Sequence, residues 1–305
     1  MPSVEPSPTT AAPAGPVPEI DVTSDLVRDL LRAQHPDLAD LPLVPFASGW
    51  DNRMWRLGDA LAVRLPVRAI AAPLVQNEQR WLPVLAPLLP VDTPVPVRTG
   101  RPGAGYPWAW SVVPWFAGTV AAATPVAERT PWATELADTF VALHVPAPPD
   151  APVNPVRGVP LADRADVVRS RLTHLLVPER EALLARWDAL VGSPVWQGPA
   201  LWLHGDPHPA NLLVADGHLR AVLDFGDVTA GDPASDLSTA WLTFDETGRE
   251  AFRARVTAGA GWDEAMWLRA EAWAVAMAAV MLAHPEDHPL LAEVGRHAVS
   301  QILGR

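Results

Sequence analysis

Leu201-Trp202-Leu203-His204-Gly205-Asp206-Pro207-His208-Pro209-Ala210-Asn211, followed by the apolar run Leu212–Leu223 and then Asp224-Phe225-Gly226-Asp227, is the stretch on which the fold turns. Leu212-Leu213-Val214 and Leu219–Leu223 flank Asp216-Gly217, a strong two-residue hairpin signal. A loop of that length pairs Ala215 with His218, and counting outward pairs Asn211 with Val222. Side chains alternate faces along a strand, so Asp224 shares a face with Asn211. The two become diagonal neighbours at the open end of the ribbon, with Cβ atoms about 7–8 Å apart. Two oxygen ligands at that separation can grip one hard cation, and Mg²⁺ carrying nucleotide phosphates suits such a sparse protein donor set. Asp206 lies five residues before Asn211, on a loop that Pro207 and Pro209 keep out of helix. A carboxylate there can accept a proton from an attacking hydroxyl.

These residues carry a resemblance. His204-Gly205-Asp206, Asn211 and Asp224-Phe225-Gly226 are similar to the catalytic and metal-binding motifs of the aminoglycoside phosphotransferase family. They also resemble the catalytic-loop Asp/Asn and D-F-G of protein kinases. Gly231-Asp232-Pro233-Ala234-Ser235-Asp236-Leu237 resembles a further segment of that antibiotic-kinase family. The resemblance implies an α+β, protein-kinase-like two-lobed fold, with a small β-rich N-lobe and a larger, mainly helical C-lobe. It makes Asp206 the carboxylate that orients or deprotonates the acceptor, and Asn211 and Asp224 the metal ligands. His204 and Asp236 then support the loop by hydrogen bonds, and Asp232 caps the next helix.

The order of elements agrees. Ser24–Gln34 has apolar residues at helical spacing, with Asp21, Thr23 or Ser24 available as caps. Leu43–Ala47, Arg53–Leu57 and Leu61–Leu65 read as strands, Pro73–Trp81 as a helix stopped by Pro83, and Val95–Arg98 and Trp108–Val113 as strands. Beyond Gly118 the periodicity is helical over Trp132–His144, Leu161–Leu176, Glu179–Leu190, Asp263–Leu282 and Leu290–Leu303. We expect a Pro/Ala-rich disordered tail over 1–20, a nucleotide-binding lobe over 21–116 ending in a hinge, and a catalytic and acceptor lobe over 117–305.

In the first lobe no G-x-G-x-x-G is present, and Ser48-Gly49 stands where the phosphate-covering turn would be. The chain contains no lysine, so Arg64 occupies the strand position where kinases carry a phosphate-binding Lys, with Glu78 as its candidate ion-pair partner. Its planar fork is not equivalent to an ammonium. Val112–Trp115 resembles the hinge that meets the base. Pro114 has no N–H, so the donor must come from Val113 or Trp115. Most of the fourteen tryptophans are expected to fill core space, although Trp50 or Trp115 could stack on a base or an acceptor.

Composition narrows the alternatives. A net charge of −12 without any basic cluster argues against nucleic acid. The absence of cysteine excludes a thiolate site and fits a cytoplasmic setting. The longest apolar helical run, Ala272–Ala283, is short of the ~20 residues that span a bilayer, so a soluble protein is expected. His204-x-Asp206-x-His208 also admits a metal-dependent hydrolase, but that reading leaves Asn211 and Asp224 without a task. The sequence therefore leads to a phosphotransferase that takes ATP or GTP with Mg²⁺ and acts on a small-molecule hydroxyl. The acceptor implied by the resemblance is an antibiotic, aminoglycoside slightly ahead of macrolide, with a metabolite kinase of the same fold as the alternative. Carboxylates of the second half, such as Asp245, Glu246, Asp263, Glu264 and Glu271, could receive a cationic acceptor, but for each one taken singly an ordinary solvated helix face is the better reading.

Overall fold

The computed structural model describes residues 17–48 and 51–304. Helix α1 (Ser24–Gln34) begins at Thr23, whose hydroxyl accepts from the Leu26 N–H, and buries Val27, Leu30 and Leu31. Strands β1 (Leu43–Ser48), β2 (Asn52–Leu57) and β3 (Leu61–Pro66) follow, then helix α2 (Ala72–Leu85) and strands β4 (Arg98–Gly100) and β5 (Trp110–Pro114). They form an antiparallel sheet in the order β1-β2-β3-β5-β4. Its inner face packs on α1 around Leu57, Val63, Leu65, Trp110 and Val112.

Three expectations in this lobe are corrected. Pro83 does not stop α2, because Leu85 beyond it is fully buried in the core of the second lobe and that burial outweighs one lost helical bond. The fourth strand starts later, at Arg98, and the fifth at Trp110, whose indole lies flat on Gly100: a Cβ there would stand 1.9 Å from Cε2. The expected tail reaches too far. Glu19 donates its N–H to Val67 O and accepts from the Ala69 N–H, and Ile20 packs on the core. Residues 1–16 lie outside the described residues.

The second lobe opens with β6 (Thr119–Val120). Helices α3 (Ala133–Leu143), α4 (Leu161–His174) and α5 (Arg180–Leu190) lead to β7 (Leu201–Leu203), β8 (Leu212–Ala215), β9 (His218–Val222) and β10 (Thr229–Gly231). Helices α6 (Ala234–Leu237), α7 (Thr239–Thr243), α8 (Glu246–Ala260), α9 (Glu264–Met281) and α10 (Pro289–Ile302) complete it. Helix α9 is buried nearly all round, as the central element of a helical core should be. Helix α8 escapes the periodicity because only Gly248, Phe252 and Val256 are buried along it.

The hairpin closes as expected at Ala215↔His218, but a bulge shifts the register between Leu213 and Val214. Asp92 causes a competing pairing: its N–H reaches Arg220 O, and Val222 donates to Asp92 O. Asn211 therefore faces Leu223, which donates to Asn211 O at 2.8 Å, and not Val222.

Candidate active site

The loop that carries Asp206 is held from behind. Asp236, fully buried on α6, accepts the N–H groups of His204 (2.7 Å) and Gly205 (2.9 Å), and His144 Nε2 lies 3.2 Å from it. His204 accepts from the Asp206 N–H through Nδ1 and donates from Nε2 to Leu223 O, tying the loop to the end of β9. Both ring nitrogens are thereby used, which removes His204 from the ligand set a metal-dependent hydrolase would need. Gly205 has φ +90°, and a Cβ there would meet Asp227 O at 2.2 Å, so the close approach of the two loops requires glycine. Asp232 accepts the Ala234 N–H at the start of α6 and pairs with Arg269.

Asp206, Asn211 and Asp224 all line one cleft of about 900 Å³ between the sheet and the helical lobe. The bulge spoils the strand-alternation argument for Asp224, but its backbone turns left-handed (φ 59°, ψ 68°) at the end of the ribbon and re-aims the carboxylate. Asp224 is about half exposed to the cleft. The amide of Asn211 donates to the Asp206 backbone oxygen at 2.9 Å, leaving its Oδ1 for the cleft. Two hard oxygen donors with unspent lone pairs fit Mg²⁺ accompanied by phosphates.

Arg64 and Glu78 are both buried, on β3 and α2. The Arg64 guanidinium reaches both Glu78 oxygens at 2.7 Å and Asp224 Oδ1 at 2.6 Å, and Glu78 Oε1 also accepts the Phe225 N–H at 2.9 Å. One cation thus ties the sheet, the helix and the Asp224 turn together. Burial pushes the Glu78 carboxyl up to about 7 against the pull of Arg64, while Asp224 and Glu78 together outweigh burial and hold Arg64 charged. Burial would also raise Asp224, but Arg64 brings it below the usual carboxylate range. Glu78→Ala would leave Arg64 with Asp224 as its remaining anion and strand the Phe225 N–H, and we expect a loss of about 1–3 kcal/mol in unfolding free energy, read by denaturant or thermal unfolding.

Asp206 has partners that the sequence did not disclose. Arg157 donates from Nη2 to Asp206 Oδ1 (3.2 Å) and from Nε to Gly205 O (2.7 Å). His208 Nε2 stands 3.3 Å from Oδ2. Burial works against the carboxylate, yet His208, then Arg157 and His204, hold it well below its ordinary range. It is held as an anion, able to accept a hydrogen bond from an attacking hydroxyl and align it. Arg157 lies some fifty residues upstream, and its loop is placed by Gly158, whose oxygen accepts the Asp232 N–H and whose left-handed φ no sequence pattern announced.

At the base end, Ser48 closes β1 opposite Arg53, and Gly49 and Trp50 lie outside the described residues. Val113 and Trp115 line the cleft. The Trp115 N–H, however, is donated to Ala60 O at 2.8 Å, so it is already spent within the sheet edge. Its indole packs against Phe46 and under the Arg56 guanidinium.

The two-lobed, protein-kinase-like body is that of a phosphotransferase acting on hydroxyl groups. The family model described as phosphotransferase enzyme family, APH, matches residues 42–273, and the chain belongs to that family. Among solved structures, the GDP complex of aminoglycoside 2'-phosphotransferase-IIIa is similar with a TM-score of 0.67 at 18% identity, covering 91% of this chain and 98% of that one. Macrolide 2'-phosphotransferase MphH from Brachybacterium faecium matches with a TM-score of 0.60 at 24% identity, over 91% and 97% of the two chains. A type I macrolide 2'-phosphotransferase matches at 0.63 and 21%, over 90% and 97%. No curated protein matches the chain. Among the described residues no helix is long and apolar enough to cross a membrane.

Proposed function

We propose that this chain moves the γ-phosphoryl group of ATP or GTP to a hydroxyl of a small molecule in the cleft between a nucleotide lobe, 21–116, and a catalytic lobe, 117–305. The observation that carries this reading is the convergence of Asp206, Asn211 and Asp224 on one cleft. Asn211 and Asp224 would hold Mg²⁺, which when bound supplies charge neutralisation for the phosphates. Arg64, anchored by Glu78, offers its guanidinium to the same region. Asp206 accepts the acceptor's proton as the acceptor oxygen forms its bond to the γ-phosphorus. The bond from that phosphorus to the β–γ bridging oxygen breaks, and nucleoside diphosphate leaves. The work of the protein is positioning and charge compensation.

An antibiotic acceptor is supported by similar structures solved with kanamycin, streptomycin and gentamicin. The test is a Mg²⁺-dependent nucleotide-consumption screen over antibiotics and housekeeping hydroxyl compounds, with mass spectrometry seeking a gain of one phosphate. Turnover of the housekeeping compounds alone would make this a metabolite kinase. Hydrolysis of a substrate without nucleotide would overturn the phosphotransfer reading.

Arg157 is a positioning residue in this scheme. Arg157→Ala removes a charge-assisted bond worth about 1.5–3 kcal/mol, so turnover should fall roughly 10- to 150-fold. The acceptor KM should stay nearly constant, and Arg157→Lys should recover little because one ammonium cannot reproduce the fork over Gly205 O and Asp206. Steady-state kinetics of the two variants check this.

A further inference from the structure

The acceptor end of the cleft, beyond Asp206 and His208, is walled by Met277, Val280 and Met281 of α9 and Leu291 of α10, with His284 and His288 on the turn between them. No glutamate lines the cleft among the described residues, and each of its aspartates has a partner of its own. Asp51 pairs with Arg68, Asp206 with Arg157, Asp224 with Arg64, and Asp227 accepts from Asn154.

The carboxylates that could have received a polycation are used elsewhere. Asp245 and Asp263 cap α8 and α9 through the N–H groups of Gly248 and Met266. Glu264 pairs with Arg253, and Glu271 is held by both arms of the Arg186 fork. None of these residues, nor Glu246, lines the cleft. Glu286 and Asp287 are exposed beside His284, outside the cleft lining.

An aminosugar with several ammonium groups would shed its hydration against thioether and aliphatic carbon, and the nearest carboxylates beside that wall, Glu286 and Asp287, are exposed outside the lining, a poor exchange for the hydration lost. A ligand with a broad apolar face would bury that face on the same wall at a gain. We infer that the acceptor is a hydroxyl compound presenting an extended apolar face and carrying at most one positive charge. The order expected from the motifs, aminoglycoside ahead of macrolide, is thereby reversed. This inference rests on the phosphotransferase reading above, because it takes Asp206 as the marker of the acceptor end.

The test is calorimetry on the full chain loaded with Mg²⁺ and a non-hydrolysable ATP or GTP analogue, titrated with a monocationic macrolide and with kanamycin. Nucleotide-consumption kinetics with both compounds accompany it. We expect the macrolide to bind at least about tenfold tighter than kanamycin, to show the larger kcat/KM, and to bind with a negative heat-capacity change. Equal or tighter binding of kanamycin overturns the inference. So does binding of neither compound while the nucleotide analogue binds, an outcome that leaves the phosphotransferase reading standing. Failure of the analogue itself to bind sinks that reading and this inference with it.

Val280 is 37% exposed, so Val280→Asp should fold, and a thermal melt verifies it. Its added carboxylate should weaken the macrolide at least about tenfold and narrow the gap to kanamycin. Unchanged macrolide affinity in a folded Val280→Asp protein would show that the acceptor does not lie on this wall.

Discussion

Asp206→Ala should lower turnover by about 10²–10⁴ with little change in nucleotide affinity, the signature of a lost general base. Three features of the site set that expectation. The carboxylate is a half-buried anion whose charge is sustained by His208, Arg157 and His204. Its loop is fixed independently of its side chain, because Asp236 binds the two preceding N–H groups and Asn211 binds the Asp206 backbone oxygen. The residues proposed to hold metal and nucleotide are other ones, Asn211, Asp224 and Arg64. Removal of the side chain therefore deletes chemistry and leaves the scaffold. Single-turnover rates and nucleotide titrations on the same preparation separate the two effects, and near-wild-type turnover would strip Asp206 of its role. Asp206→Asn should be nearly as slow, since an amide can still align a hydroxyl but cannot accept its proton.

Asp224→Ala should abolish Mg²⁺-dependent nucleotide binding, losing more than the roughly 10–100-fold that removal of a mere supporting partner of a metal ligand costs. In the proposed scheme Asp224 would serve two cations, Arg64 and the metal. Its Oδ1 already accepts from Arg64, which itself remains anchored by Glu78, so the variant loses the metal ligand without freeing the arginine. Nucleotide titrations with and without Mg²⁺ should converge in the variant and differ widely in the parent. Unchanged Mg²⁺–nucleotide affinity would remove Asp224 from the ligand set.

Much of this was legible in the chain because the relevant signals are local. Thr23 and Asp263 begin their helices by side-chain caps, and Asp216-Gly217 closes its hairpin where a two-residue turn should. The order Asp206, Asn211, Asp224 is a short-range pattern carried by one ribbon. What escaped was set by distant partners. The bulge in β9 answers to Asp92, which competes for the same backbone groups from over a hundred residues away. Pro83 passed through a helix because Leu85 is claimed by the other lobe's core. Arg157 reaches Asp206 only because Gly158 lets its loop lie against β10, and nothing within ten residues of Arg157 says so. The Trp115 amide looked available until the sheet edge took it.

Arg64 has a practical consequence. Reagents that tag nucleotide-binding enzymes by delivering an acyl or sulfonyl group to the amine beside the phosphates require a primary ε-amine at that place. Here the residue proposed for that place carries a guanidinium, and the whole chain has no lysine to offer in its stead. Surveys of kinases built on amine capture would pass over this enzyme even with its cleft filled.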